Sequence, residues 1–160
     1  MCMINNFIKA FTAVFVCVLI LVGCDRNEHS ISYGDVIFDT VNYTDMQEEE
    51  LYTNIITACN SAYTALTDLG ASQSALSVYN EAYFVDNDLL AISFQANPDF
   101  TYTIEKLTLE KNTLTVYSNV KIPQAHHLLE VNKLILIDLP KNSVPKDVSI
   151  HVDFHEVIDK

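Results

Sequence analysis

The pattern of apolar residues predicts an α+β domain in which one amphipathic helix packs on a mainly antiparallel sheet of five or six strands. Three observations lead to this fold class. An apolar stripe recurs every three or four residues between residues 51 and 69, and apolar and polar residues alternate from residue 90 onwards. The nearly all-apolar run 134–139 is typical of a central strand that is covered on both faces.

The helix is expected to begin near Thr44 and to end before Gly70. Overlapping capping-box pairs and three consecutive glutamates favour a helix N-terminus after Thr44, and glycine is a common C-terminal stop. Further helical turns are expected within residues 72–84. The apolar stripe of the helix consists of Leu51, Ile55, Cys59, Ala62, Leu66 and Leu69.

The strands are predicted from alternation of period two. A one-residue change of phase near Glu105 and Lys106 predicts a β-bulge, and Pro123 is expected to end the partner strand of that hairpin. A turn is predicted at 140–143. In chain order, the predicted strands are 36–41, 90–94, 100–109, 114–122, 134–139 and 148–154.

The first residues have the pattern of a signal peptide, with Lys9 followed by an apolar stretch that is too short for a membrane span of about 20 residues. The stretch ends in Leu-Val-Gly-Cys at Cys24 and resembles the lipobox of bacterial lipoproteins. The resemblance implies cleavage after residues 1–23 and acyl chains such as palmitate on Cys24. Residues 24–34 would then be a lipidated tether and 35–160 a single globular domain. An ordinary secretory signal with a chance cysteine is the alternative.

The charge restricts the partners. The chain has a formal charge of −12, and removal of residues 1–23 takes away Lys9 and no acidic residue, which makes it −13. Nucleic acid would be repelled, and the domain is not expected to lie flat on anionic lipid. We expect the domain to project from the outer face of the cell membrane.

Cysteine and glycine content argue against several kinds of chemistry. After cleavage and lipidation only Cys59 would remain, so no intramolecular disulfide is expected, and its place on the apolar stripe favours a core role over a reactive thiol. Only Gly34 and Gly70 would remain as glycines. Phosphate-binding loops and nucleophile elbows need glycine, so we expect neither an enzyme nor a cofactor.

Part of the chain resembles a known family of exported proteins. The segment 79–90, the hairpin 102–116 and the run 134–141 are similar to small lipoproteins of Firmicutes and to the C-terminal domain of the protease-complex subunit PrcB. The similar segments fall within residues 79–152, and the usual Ser-Gly-Gly stretch before the hairpin is replaced by Asn97-Pro98-Asp99. The resemblance implies a non-enzymatic lipoprotein that associates with or stabilises another exported protein.

Two sets of residues are candidates for function. His151, Asp153 and His155 alternate on the last strand and would share one face, where a metal ion or only solvent could contact them. We favour a solvated polar face. Tyr117 and Lys121 share the polar face of another strand, where tyrosine favours protein interfaces, although tyrosine also suits strands in general.

Together these patterns predict a membrane-tethered, non-enzymatic lipoprotein that binds or stabilises another exported protein, and the family resemblance implies a protease as a candidate partner. The alternative function is binding of a small molecule or a metal ion. Neither the partner nor the ligand can be identified from the sequence.

Overall fold

The computed structural model describes residues 28–41, 51–126 and 129–158. Within these ranges the chain forms eight strands and three short helices. The strands are β1 (Glu28–Ile31), β2 (Val36–Val41), β3 (Tyr52–Ile56), β4 (Asn87–Ala96), β5 (Thr101–Glu110), β6 (Thr113–Ile122), β7 (Val131–Pro140) and β8 (Ser149–Ile158). The helices are α1 (Cys59–Asp68), α2 (Gln73–Val78) and α3 (Tyr83–Asp86).

The strands form two four-stranded sheets that pack face to face. The outer sheet has the order β1-β5-β6-β8, and the middle sheet has the order β2-β7-β4-β3. Neighbouring strands are antiparallel except β6 and β8, which run parallel because the chain passes through β7 of the middle sheet between them. The helices cover the other face of the middle sheet. The predicted α+β class is therefore confirmed, with three layers.

Two apolar clusters hold the three layers together. Full burial of one large aliphatic side chain contributes about 1.5–3 kcal/mol, so each cluster is a substantial source of stability. Between the two sheets lie Leu90, Ile92, Phe94, Ile104, Leu107, Leu114, Val116, Ile135, Ile137, Leu139, Val144 and Val152. Between the middle sheet and the helices lie Val41, Ile56, Ala62, Leu66, Ala75, Tyr79, Phe84, Leu89, Ala91, Leu134 and Leu136.

Strands β4 and β7 are the centre of the middle sheet and are covered on both faces. They pair over ten positions, from Asn87 opposite Pro140 to Ala96 opposite Val131. Successive side chains of β4 enter alternate clusters, as Leu89 and Leu90 do. The prediction that 134–139 is a central, doubly covered strand is confirmed.

The predicted hairpin is also confirmed. Strands β5 and β6 pair in register from Glu110 opposite Thr113, and the register shifts between Ile104 and Lys106, where the bulge was expected. The shift lets both Ile104 and Leu107 enter the core between the sheets. Strand β6 ends immediately before Pro123.

The prediction of a single long helix that begins near Thr44 is wrong for the residues that the structure describes. Tyr52–Ile56 form strand β3, which pairs with β4, and the helix begins only at Cys59. β-branched residues such as Thr53 and Ile55 suit an edge strand. The helical spacing of Leu51, Ile55 and Cys59 is misleading, because Ile55 belongs to β3 and Cys59 to α1. The expected helix start at 44–50 lies outside the described residues.

The end of the helix was predicted correctly. Gly70 has a φ of 74° after α1 and closes a Schellman motif. Its amide donates to the Thr67 carbonyl at 2.9 Å, and the Ala71 amide donates to the Leu66 carbonyl at 2.8 Å. The helical turns expected within 72–84 correspond to α2 and the beginning of α3.

Two further expectations need correction. The described residues form two sheets instead of one, because β5, β6 and β8 face the middle sheet and do not extend it. Part of the predicted tether is a strand, since Glu28–Ile31 pair with β5 as β1. Short polar edge strands lack a strong apolar pattern, which is why this one was read as a tether. Residues 24–27 and 1–23 lie outside the described residues.

Candidate functional site

All five candidate residues on strands lie on one surface, the outward face of the outer sheet. We call it the outer face. It is formed by the side chains that point away from the middle sheet. Opposite Tyr117 of β6 lie Lys106 of β5 and Asp153 of β8. The other candidates on this face are Lys121, His151 and His155.

Tyr117 lies in the middle of the outer face. Its side chain is half-buried, and the Lys106 ammonium lies 4.4 Å from the ring centroid, a cation–π contact. Next to it, the Asn119 side-chain amide donates to the Glu105 carboxylate at 2.6 Å. The face therefore combines one ordered aromatic ring with charges of both signs.

His151, Asp153 and His155 project from β8 towards solvent, as their alternation predicted, while Val152 points into the core. Same-face neighbours on a strand are about 7 Å apart, so the three donors stand in a row and do not converge. Among the described residues, no group of three or more His, Cys, Asp or Glu side chains is placed to hold a metal ion.

Sequence reasoning missed an open groove of about 920 Å³ at one end of the two sheets. We call it the interlayer groove. It lies where β4 ends and β5 begins, and His126, Leu129 and Glu130 from the connection between β6 and β7 border it. The residues that line it are Leu51, Phe94, Gln95, Ala96, Asn97, Phe100, Tyr102, Val120, His126, Leu129, Glu130, Val152, Phe154 and Glu156.

Aromatic rings dominate the wall of the interlayer groove. The Phe94 ring lies 5.2 Å from that of Tyr102 and 4.9 Å from that of Phe154, measured between centroids. Phe100 makes a further edge-to-face contact with His126 at 5.3 Å. Phe100, Tyr102 and Phe154 are only partly buried, so these rings are fixed by packing and still accessible from the groove.

The electrostatic character of the groove is acidic. Glu130 and Glu156 are its carboxylates, and no lysine or arginine is among the residues that line it. Burial, and then the negative charge of Glu156, raise the pKa of the Tyr102 hydroxyl to about 12. Tyr102 is therefore neutral at physiological pH and presents a ring and a hydroxyl beside an acid.

A smaller cavity of about 230 Å³ adjoins the groove and shares Phe100 and Tyr102 with it. Lys133 lines this smaller cavity. Its ammonium donates to the Thr40 hydroxyl at 3.3 Å and to the Pro98 carbonyl at 3.4 Å. These contacts hold the Lys133 ammonium against the loop that follows β4, which contains Pro98.

A polar cluster packs beneath the helices at the opposite end of the middle sheet. The Tyr83 hydroxyl donates to Asp138 at 2.8 Å, and Lys141 pairs with Asp88 at 2.8 Å. Burial is the main reason that the pKa values of Tyr83 and Asp138 lie above their usual ranges. The cluster faces no cavity described above and joins α3 to β4 and β7, so we assign it a structural role.

The remaining cysteine candidates fall in different places. Cys59 is half-buried at the start of α1, and its thiol lies 3.6 Å from the Tyr79 carbonyl, which fits the expected core role. Cys24 lies outside the described residues. In the part of the chain that is described, no helix has the length and apolar character needed to cross a membrane.

Comparison with known proteins adds no relative to this picture. No family model, no curated protein and no solved structure matches the chain. The resemblance to the PrcB C-terminal domain therefore stays a prediction that rests on the residues given above.

Proposed function

We propose that the protein is a membrane-tethered, non-enzymatic lipoprotein that binds another exported protein through its outer face. The observation that carries the proposal is Tyr117, whose ring is held by Lys106 at the centre of a rigid sheet. Binding energy at protein interfaces is concentrated in a few aromatic and cationic residues on preorganised surfaces. The tether rests on the lipobox at Cys24.

The position of Tyr117 in the sheet supports this role. Strand β6 is paired on both sides, with β5 and with β8, over most of its ten residues. Paired strands do not rearrange easily, so the face loses little conformational entropy on binding. Lys106 and Asp153 lie opposite Tyr117 on the two neighbouring strands, so charges of both signs flank the ring, which favours one orientation of a complementary partner.

The test is a double variant, Tyr117→Ala with Lys121→Ala, in the full-length protein. Truncation of an interface hot spot costs at least about 2 kcal/mol, so affinity for the exported partner should fall at least about thirtyfold, and crosslinking in native membranes should recover correspondingly less of it. The free energy of unfolding should change little, because both side chains lie outside the core.

The matched control replaces the same residue types elsewhere, Tyr63→Ala with Lys146→Ala. Both are exposed, Tyr63 on α1 and Lys146 in the 141–148 loop. The control should retain the partner. Loss of the partner in the control and retention in the outer-face variant would contradict the proposal and place the interface on α1 or on the 141–148 loop.

The tether has its own experiment. Cys24→Ser should release the protein from the membrane fraction and prevent cleavage before residue 24, since serine provides no thiolate for lipid attachment. Unchanged fractionation and unchanged electrophoretic mobility would rule out the lipid anchor. Both readouts are independent of partner binding.

A second candidate function, binding of a small molecule, is favoured by the interlayer groove. Ligand sites are typically concave, of about 300–1,000 Å³, and lined by apolar and aromatic side chains with a few polar groups. The groove, at about 920 Å³, fits this description. It lies at one end of the sandwich, so a ligand there would leave the centre of the outer face uncovered.

A further inference from the structure

We propose that the interlayer groove binds a free organic cation that carries an apolar body, such as a quaternary ammonium compound. The proposal rests on the second candidate function, small-molecule binding, and is independent of partner binding at the outer face. Three features of the groove lead to it: its partly exposed rings, its acidic groups and the absence of lysine and arginine among the residues that line it.

The rings supply the surface that recognises both parts of such a ligand. Phe100, Tyr102 and Phe154 present partly buried rings, and Phe94 supports two of them from below at about 5 Å between centroids. The face of an aromatic ring carries partial negative charge, so it attracts a cation while its area covers an apolar group.

Charge decides which kind of apolar ligand is favoured. Glu130 and Glu156 lie on the lining, and the whole chain carries a formal charge of −12, so an anion would be repelled. Lys133, which lines the adjoining cavity, is already hydrogen-bonded to Thr40 and Pro98. An external cation would therefore meet carboxylates and aromatic rings without an ammonium of this chain among the lining residues.

The probe is benzyltrimethylammonium, and its neutral carbon isostere, neopentylbenzene, is the reference. Calorimetric titration of the purified full-length protein in a neutral detergent, corrected with a detergent blank, should give saturable binding of the cation. The neutral isostere should bind about two- to fivefold more weakly, as one cation–π contact is worth about 0.5–1 kcal/mol at an exposed site. Equal affinities would overturn the proposal.

Two variants separate charge from ring. Glu156→Gln should weaken binding of the cation about threefold and leave the isostere unaffected, whereas Glu110→Gln, at the other end of β5, should change neither. Phe154→Leu keeps an apolar side chain and removes a ring, so it should also weaken the cation about threefold. Unchanged affinity in both groove variants would overturn the assignment of the site.

Two further measurements make the result specific. Benzenesulfonate, an aromatic anion, should not bind, and mixed micelles of a choline phospholipid with the same detergent should not compete with the probe; either result reversed would overturn the free-cation proposal. Tyr117→Ala should bind the probe like the wild type. The groove proposal is tested by probe binding to the groove variants, and the outer-face proposal is tested by partner recovery with the Tyr117 variant. A failure of one proposal can therefore be distinguished from a failure of the other.

Discussion

The two ends of the sheet sandwich differ in how completely the layers meet. At the closed end, where β5 turns into β6, Leu114 and Leu139 are fully buried and the 141–148 loop lies over them. That loop is tied to the turn, because the Asn112 side chain donates to the Asp147 carbonyl at 2.9 Å. At the open end lies the interlayer groove, and Leu129 on its lining is 58% exposed.

This difference separates stability from recognition within one pair of sheets. Each buried leucine at the closed end contributes about 1.5–3 kcal/mol to the free energy of unfolding. Side chains that line a ligand site contribute less, because they must stay accessible to the ligand. At the open end, rings that are only partly covered keep area available for a ligand. Apolar and aromatic surface thus stays accessible at the open end, away from the 141–148 loop.

The largest effect is expected from Leu114→Ala at the closed end. Removing this fully buried side chain leaves a cavity and should lower the free energy of unfolding by about 2–5 kcal/mol, measured by chemical denaturation. The same substitution at the open end, Leu129→Ala, should cost less than about 0.5 kcal/mol. Similar losses at both ends would mean that the groove is part of the packed core.

A smaller loss is expected from Lys141→Ala, also at the closed end. The Lys141 ammonium contacts Asp88 at 2.8 Å and donates to the Thr57 carbonyl at 2.9 Å. Without it a buried carboxylate loses its cation, which should cost about 1.5–3 kcal/mol.

The matched control is the exposed pair on the outer face. Lys106 lies 4.0 Å from Glu28 and both side chains are about half exposed, so Lys106→Ala should cost less than about 1 kcal/mol. The comparison uses the same denaturation measurement. An equal loss in both variants would show that burial does not distinguish the two ion pairs.

Much of the sheet could be predicted because its signals are local. The bulge near Lys106, the stop at Pro123 and the doubly covered strand β7 each follow from a few neighbouring residues and one period. The orientation of His151, Asp153 and His155 followed in the same way, since alternation along a single strand fixes the face.

The errors arose where distant pairing decides the structure. Tyr52–Ile56 become a strand because β4 offers a free edge, and helical spacing across Cys59 concealed the change of element. Two sheets instead of one cannot be read from the alternation in β5, β6 and β8, because a strand that is covered on one face has the same pattern in either arrangement. Strand β1 likewise depends on a distant pairing, because its residues form a strand only by pairing with β5.

The interlayer groove was missed for the same reason. Phe94 and Tyr102 lie on consecutive strands that belong to different sheets, and Phe154 lies on the last strand, so only the stacking of the two sheets brings the three rings together. One signal was available: Phe94 and Tyr102 lie on either side of the β4–β5 connection, so the sequence alone places two aromatic rings near one end of the predicted strands.

The smallest predicted effect concerns Tyr102 at the open end and follows from its raised pKa. The hydroxyl has a pKa of about 12 in the folded protein, compared with 10.0 for an unperturbed tyrosine. Below pH 10 it is protonated in both the folded and the unfolded state. As pH rises from 10 to about 12 the unfolded state releases this proton first, so the stability that Tyr102 contributes below pH 10 is lost in that window.

Tyr102→Phe has no proton to release, so its free energy of unfolding should fall less steeply between pH 10 and 12 than that of the wild type. The difference in slope is limited to one proton, about 1.4 kcal/mol per pH unit. At pH 7 the two proteins should differ by less than about 0.5 kcal/mol.

Tyr83→Phe provides the contrast from the helical layer, because it removes a hydrogen bond to Asp138 and should already lose stability at pH 7. Denaturation curves at pH 7, 10 and 11 measure both effects, and parallel curves for Tyr102→Phe and the wild type would show that the groove does not shield this hydroxyl.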